Sequence, residues 1–171
     1  MHPNNNLRLN VGFFIGQNVG YSRDFLFESA HLTFDPDLYL SDFGGAARIT
    51  RTAQGLLIQG KMNATILSEC VRCLTNIELP LKIDFTELYA FSSQSVTDSW
   101  LLLPEDAHIN LAPLVREYML LEVPISPVCR ADCRGLCPIC GENLNDTTCE
   151  HNDQAVESRL SMLKTLLEQE D

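Results

Sequence analysis

Ala46-Ala47-Arg48-Ile49-Thr50-Arg51-Thr52 is followed by Ala53-Gln54-Gly55 and then by Leu56-Leu57-Ile58-Gln59-Gly60-Lys61-Met62-Asn63-Ala64-Thr65-Ile66-Leu67. This stretch decides the fold. In the second arm Leu56, Ile58, Met62, Ala64 and Ile66 fall on one face, and Gln59, Lys61, Asn63 and Thr65 on the other. Strict alternation is the period of a half-buried strand. The three-residue break, with Gly55 placed where a positive φ is wanted, predicts an antiparallel hairpin. Ile77, Leu79, Leu81, Ile83 and Phe85 then alternate without interruption, which predicts the next strand. Pro80 lies on its opposite face and cannot donate to a ladder, so this strand belongs at an edge or carries a bulge.

Upstream, Leu7, Leu9, Val11, Phe13 and Ile15 alternate and read as a strand to Ile15; Phe25 and Phe27 suggest another. Asp35-Pro36-Asp37 signals a turn, and Leu38 to Leu40 reads as a short edge strand. Downstream, Ser92 to Ser99 reads as a loop, and Trp100 and Leu101 to Leu103 are expected to tuck onto the core. Two helices are predicted. Asn110 caps the first, with Leu111, Leu114, Val115 and Tyr118 on one face, and Pro124 and Pro127 end it. The second begins near Asn152 or Asp153 and carries the stripe Val156, Leu160, Leu163 and Leu167. The fold class is α+β: a mainly antiparallel β core, two helices and a C-terminal cysteine-rich zinc-binding segment. Residues 1–128 form the core with its helix. Residues 129–171 form the zinc-knuckle segment and terminal helix, docked on that core.

Composition narrows the function. The 171 residues are 45% hydrophobic, an ordinary globular balance, and carry a formal charge of -11. Residues 1–67 are neutral overall, whereas 68–128 hold nine acids against three bases and 129–171 hold nine against four. An acidic surface disfavours a general grip on nucleic-acid backbone. No apolar run approaches the roughly 18 residues that span a bilayer, and the opening residues do not read as a secretory signal. The expected location is the cytoplasm, where thiols stay reduced.

Seven cysteines therefore point to metal. They fall as Cys70-x2-Cys73, Cys129-x3-Cys133, Cys137-x2-Cys140 and Cys149-x-His151. With His151 there are eight ligands in four short-spaced pairs, which is what two closed four-coordinate zinc sites need. Cys137-Pro138-Ile139-Cys140-Gly141 is the most specific piece: a knuckle turn that converges two thiolates, with glycine free to take the positive φ that follows. The preferred partition groups Cys137, Cys140, Cys149 and His151 locally, and Cys70, Cys73, Cys129 and Cys133 across 55 intervening residues. The other partition groups Cys129, Cys133, Cys137 and Cys140, leaving Cys70 and Cys73 with Cys149 and His151.

Competing chemistries fare worse. Cys133-x3-Cys137-x2-Cys140 has the spacing of radical enzymes that hold an iron–sulfur cluster, yet only 31 residues follow Cys140, too few for their barrel. Cys70 follows a strand rather than opening a helix, against a redox pair. No Ser–His–Asp constellation or phosphate-binding glycine loop stands out, and His2, His31 and His108 are isolated. The expectation is no enzyme and no small-molecule substrate. Arg72, Arg130 and Arg134 sit within or beside cysteine pairs. They either offset thiolate charge or form a small patch for RNA phosphate or a partner, with Arg48 and Arg51 on the hairpin.

Glu69-Cys70-Val71-Arg72-Cys73-Leu74, Glu87-Leu88-Tyr89, Leu120-Leu121-Glu122-Val123-Pro124 and the run from Pro127 to Asn145 together resemble the YceD-like family of bacteria and plastids. The resemblance covers nearly the whole chain. It departs at His151, where a further cysteine is expected. It implies a role in large-subunit ribosome biogenesis and 23S rRNA accumulation. The expected partner is a basic ribosomal protein or assembly factor, with direct rRNA contact as the alternative and no membrane.

Overall fold

The computed structural model describes residues 7–34, 36 and 38–151. Four long strands form one antiparallel sheet in sequence order: β2 (Ser22–Phe34), β3 (Leu38–Arg51), β4 (Gly55–Glu69) and β5 (Asn76–Ala90). Two short strands, β1 (Arg8–Asn10) and β6 (His108–Asn110), pair antiparallel as a separate ribbon. The helices are α1 (Gly12–Ile15) and α2 (Ala112–Glu122). The α+β reading holds. The predicted helix from Asn152 or Asp153 lies outside the described residues, as do Asp35 and Asp37 of the predicted turn.

The β3–β4 hairpin is the one read from the sequence, with Arg51 opposite Leu56. Its inward row on β4 is Leu56, Ile58, Met62, Ala64 and Ile66, all buried. β5 adds Leu81, Ile83 and Phe85, and β2 adds Phe27, Leu32 and Phe34. Over this face lie Leu7, Val11 and Phe14, then Ile109, Leu111, Val115 and Met119, in one continuous core. The Phe85 ring stacks on Tyr118 of α2 with centroids 5.1 Å apart. β5 is an edge strand, so Pro80, opposite Thr65, is accommodated. Asn110 Oδ1 accepts the Ala112 amide at 3.0 Å and so satisfies one free donor at the start of α2.

Four local expectations are corrected. The N-terminal strand stops at Asn10, whose Oδ1 accepts the Gly12 amide at 3.0 Å and turns the chain into α1. Val11 and Phe14 are then buried at helical rather than strand spacing. Leu38 to Leu40 is no edge strand: it opens β3, an interior strand that runs on through a register shift between Ser41 and Gly44, where Asp42 has φ 50°. Gly55 takes no positive φ but begins β4, packed against β5. Trp100 does not tuck in: it is 80% exposed at φ 54°. The Ala90 amide donates to Leu101 O and the Leu103 amide to Ala90 O, each at 2.9 Å, so this segment pairs with the end of β5. Alternation then sends Leu101 and Leu103 toward the core and Trp100 and Leu102 outward.

Among the described residues one carboxyl side chain is buried, that of Glu87. Tyr118 OH donates to its Oε1 at 2.8 Å, and Ser99 Oγ donates to its Oε2. The bond to Glu87, then burial, pushes the Tyr118 phenol up to about 12 from its ordinary 10. The folded state therefore holds this proton more tightly than the unfolded chain. Its contribution is complete below pH 10 and is lost as pH rises toward 12. Stability measured by urea unfolding is expected to fall across that window in the wild type. Tyr118→Phe is expected to lower stability at pH 7 and to flatten the fall. An equally steep fall in the variant would show that another group governs it.

Candidate metal centres

The turn between β4 and β5 carries Cys70 and Cys73. The Leu74 amide donates to Cys70 O at 2.9 Å, the Cys70 amide donates to Thr75 O at 2.9 Å, and Leu74 sits at φ 58°. The second CxxC turn repeats this pattern. The Gly141 amide donates to Cys137 O at 2.9 Å, the Cys137 amide donates to Glu142 O at 2.8 Å, and Gly141 sits at φ 75°. These are two copies of one knuckle. In the first, an exposed leucine fills the left-handed position that glycine fills in the second. Leu74→Gly is therefore expected to stabilise the protein by about 0.5–1 kcal/mol: the strain relieved exceeds the added freedom of the unfolded chain. Thermal unfolding checks this, and a lower Tm would show that the leucine side chain contributes a contact worth more than its strain.

The first knuckle is joined to the segment after α2. The Val71 amide donates to Pro127 O at 2.9 Å and the Leu136 amide to Arg72 O at 3.1 Å. Arg72 Nη1 donates to Cys133 O at 3.0 Å. As a result Cys70 Sγ lies 3.8 Å from Cys133 Sγ, and Cys73 Sγ lies 3.6 Å from Cys129 Sγ. Those distances exclude disulfides, whose sulfurs are about 2.05 Å apart. The second knuckle gathers Cys137, Cys140, Cys149 and His151, with Cys137 Sγ 3.9 Å from His151 Nδ1. Within each group of four, all ligand atoms lie within 4.8 Å of one another. The grouping is the preferred of the two partitions set out from the sequence. Cys70, Cys73 and Cys133 of the first group are buried, whereas Cys140 and His151 of the second are exposed.

Electrostatics divides each tetrad. Burial opposes ionisation of Cys70, but amide donation from Cys73, Cys129 and Arg72 outweighs it and brings the thiol down to about 6. The Asn145 side chain, foremost, lowers Cys133. The amides of Cys140 and Ile139 bring Cys137 down to about 6 against burial. Cys129 is pushed up to about 12 by desolvation and by hydrogen bonds with Cys133 and Cys73; Cys149 is raised by its bond with Cys137. Each tetrad accepts part of its negative charge readily and resists the rest. A bound dication removes that conflict, so both groups could hold a metal ion.

The family model described as "Large ribosomal RNA subunit accumulation protein YceD" matches residues 58–167. The chain belongs to the YceD family. Its matched region takes in all eight ligand candidates. An uncharacterised protein of Mycobacterium tuberculosis (strain ATCC 25618 / H37Rv) is 34% identical over 125 residues, 70% of this chain and 59% of that protein. Protein YlbN of Bacillus subtilis (strain 168) is 30% identical over 112 residues, 64% of this chain and 65% of that protein. The chloroplastic Large ribosomal RNA subunit accumulation protein YCED homolog 1 of Arabidopsis thaliana is 30% identical over 79 residues, 42% of this chain and 25% of that protein. The chain thus spans less than two thirds of the length of the Mycobacterium tuberculosis relative, 59%. No solved structure matches it.

In this YceD-family chain the arginines are largely engaged in the scaffold. Arg72 reaches Cys133 O, Arg130 reaches Asn145 and Asp132, and Arg48 pairs with Asp24. Arg51 donates to Thr52 O and lies over the Phe91 ring, 4.4 Å from its centroid. Arg134 is exposed, and its amide donates to Asn145 Oδ1 at 2.9 Å. His31 is exposed; His108 is half-buried, with Nδ1 2.7 Å from Asp106 O. His2 lies outside the described residues. Sequence reading passed over Thr75, 3.3 Å from Cys73 Sγ, and the role of Asn145, 3.3 Å from Cys133 Sγ. The available signal was the repeated Asn in Asn143-Leu144-Asn145, since two asparagines in a ligand loop favour a hydrogen-bonded turn. Among the described residues no helix is long and apolar enough to cross a membrane.

Proposed function

We propose that this chain is a non-catalytic accessory factor in large ribosomal subunit biogenesis, organised by two zinc ions and acting by binding a basic protein. The observation that carries the zinc reading is the sulfur spacing. Zinc–sulfur bonds of about 2.3 Å in a tetrahedron set the sulfurs about 3.8 Å apart. The tetrad of Cys70, Cys73, Cys129 and Cys133 has pairs at 3.8 and 3.6 Å. Thiolate and imidazole donors, without open carboxylates, suit closed structural zinc sites. Cys137, Cys140, Cys149 and His151 offer the second such set.

The family description and the plant relative's name support the link to ribosomal RNA accumulation. A formal charge of -11 supports a basic partner, a ribosomal protein or assembly factor, over direct rRNA contact. Two filled sites deepen the acidity, since a four-thiolate zinc centre carries net -2 and a three-thiolate one with histidine net -1. The engagement of Arg72 and Arg130 within the scaffold supports the same choice.

Native mass spectrometry of the full chain is expected to show two zinc ions. One metal, or iron, would refute the two-site reading. Affinity capture is expected to enrich a basic ribosomal protein or assembly factor, and depletion of the protein to lower 23S rRNA. Capture without such a partner, together with normal 23S rRNA, would reject the accessory-factor reading.

A further inference from the structure

Asn145 belongs to the loop between Cys140 and Cys149, yet its side chain serves the other tetrad. Its Nδ2 lies 3.3 Å from Cys133 Sγ. Its Oδ1 accepts from the Arg134 amide and from Arg130 Nη2, each at 2.9 Å. Asn143 Oδ1 accepts the second Nδ2 hydrogen at 2.8 Å and the Asn145 amide at 3.1 Å. Two donors facing Oδ1 fix the orientation of the carboxamide, so its amino group must face the sulfur. The same loop is tied back by the Leu144 amide to Gly135 O at 2.9 Å and by a β-bridge between Leu136 and Asn143. Leu136 in turn donates to Arg72 O inside the first knuckle. One short run of backbone thus touches both tetrads.

We propose that Asn145 is a positioning residue that couples the two metal centres. Metal held by Cys137, Cys140, Cys149 and His151 raises the affinity of the Cys70, Cys73, Cys129 and Cys133 centre, and the reverse. The inference rests on the two-metal reading above. Its physical basis is ordering. The loop closed by Cys140 and Cys149 must be fixed before Asn145 can donate to the Cys133 sulfur, and fixing it costs conformational entropy. A metal in the local site has already met that cost, so the distant site gains the donor without it. Linkage makes the effect reciprocal. A donor to a ligating sulfur also orients the ligand and tempers its charge, as outer-shell partners do.

The test uses the full chain as wild type, as Asn145→Asp, as the pair Cys140→Ser with Cys149→Ser, and as the three combined. Asn145→Asp keeps both acceptor contacts and loses both Nδ2 donors. Zn2+ affinity is read by competition with a chromophoric chelator. Co2+ absorption distinguishes a four-thiolate centre from one with three thiolates and an imidazole. The four-thiolate centre is expected to weaken about ten- to hundredfold in Asn145→Asp and by a similar factor when the local ligands are removed. The combined variant is expected to be no weaker than either alone. The Co2+–thiolate band of the four-thiolate centre is expected to shift in Asn145→Asp, which a purely structural role would not cause. Multiplying effects, or an unchanged four-thiolate centre after removal of Cys140 and Cys149, would overturn the coupling while leaving two metals in place. Fewer than two metals in the wild type would instead overturn the two-metal reading and the coupling with it. Should Asn145→Asp fail to fold, the pair of serine substitutions still decides between these outcomes.

Discussion

With both tetrads metal-bound as proposed, Cys133→Ser is expected to release one of the two ions and to free the segment around residues 127–137 from the sheet. Cys133 is buried among Cys70, Cys73 and Cys129, and a serine hydroxyl stays protonated where a thiolate would bind. The remaining three thiols keep their crowding without a fourth donor. The backbone bonds Val71 to Pro127 and Leu136 to Arg72, with the Arg72 side chain on the carbonyl of residue 133, would then have to hold the segment. Structural zinc supplies about 10–16 kcal/mol in small zinc domains, so a loss on the order of 5 kcal/mol is expected from one missing ligand. Native mass spectrometry reads the metal. Hydrogen exchange reads the segment, with faster exchange at Val71 and Leu136 and little change in the middle of β3 and β4. Cys140→Ser is the companion: it is expected to lose the other ion while the four-thiolate centre, though weakened, stays filled and keeps the Val71 amide largely protected. If Cys133→Ser keeps both metals, or exchange rises equally throughout the sheet, the assignment of this tetrad fails.

Gly55→Ala is the second large effect. A Cβ at this position would stand 2.2 Å from Tyr89 O and 2.9 Å from Ala90 Cα. Both are backbone atoms of the paired strand and cannot swing away, so β4 and β5 must separate locally. Overpacking of this kind costs about 3 kcal/mol. The urea midpoint is expected to fall with the slope unchanged. Gly141→Ala makes the contrast. It meets nothing within 4 Å, so only its φ of 75° is strained, and about 1 kcal/mol is expected. Equal losses at the two positions would mean that conformation, not close approach, explains Gly55.

The central strands were legible because one face of each is buried and period two cannot be mistaken over a dozen residues. Met62 and Ala64 are buried while Lys61 and Asn63 are exposed, as their order requires. Elsewhere local pattern lost to context. Leu7 to Ile15 alternates as a strand would, yet an Asn10 turn converts its second half into a helix. Leu38 to Leu40 reads as a short edge strand, but β3 runs on from it through Gly44 and Gly45 beside a bulge. Trp100 misled through its size: pairing of its neighbours with Ala90 sets the direction in which it points. For the metal centres, residue identity carried nearly all the information, since four short-spaced pairs admit few closed arrangements. Spacing alone left two partitions open. The decision rests on Val71, Arg72 and Leu136, whose backbone bonds join the two segments and have no signature in sequence.

The long-range tetrad also has a consequence for the order in which the protein is made. Its two halves are 56 residues apart at Cys73 and Cys129. Ribosomes add about 5–20 residues per second, so the first knuckle waits roughly 3 to 11 s for its partners to be synthesised. During that interval the β4–β5 turn presents two thiols with no closed cage around them. A nascent chain in that state is open to oxidation and to capture of a soft metal such as Cu(I). Under the two-zinc proposal, correct assembly then depends on a reducing environment and on zinc supply during translation, before any folded molecule exists to be protected.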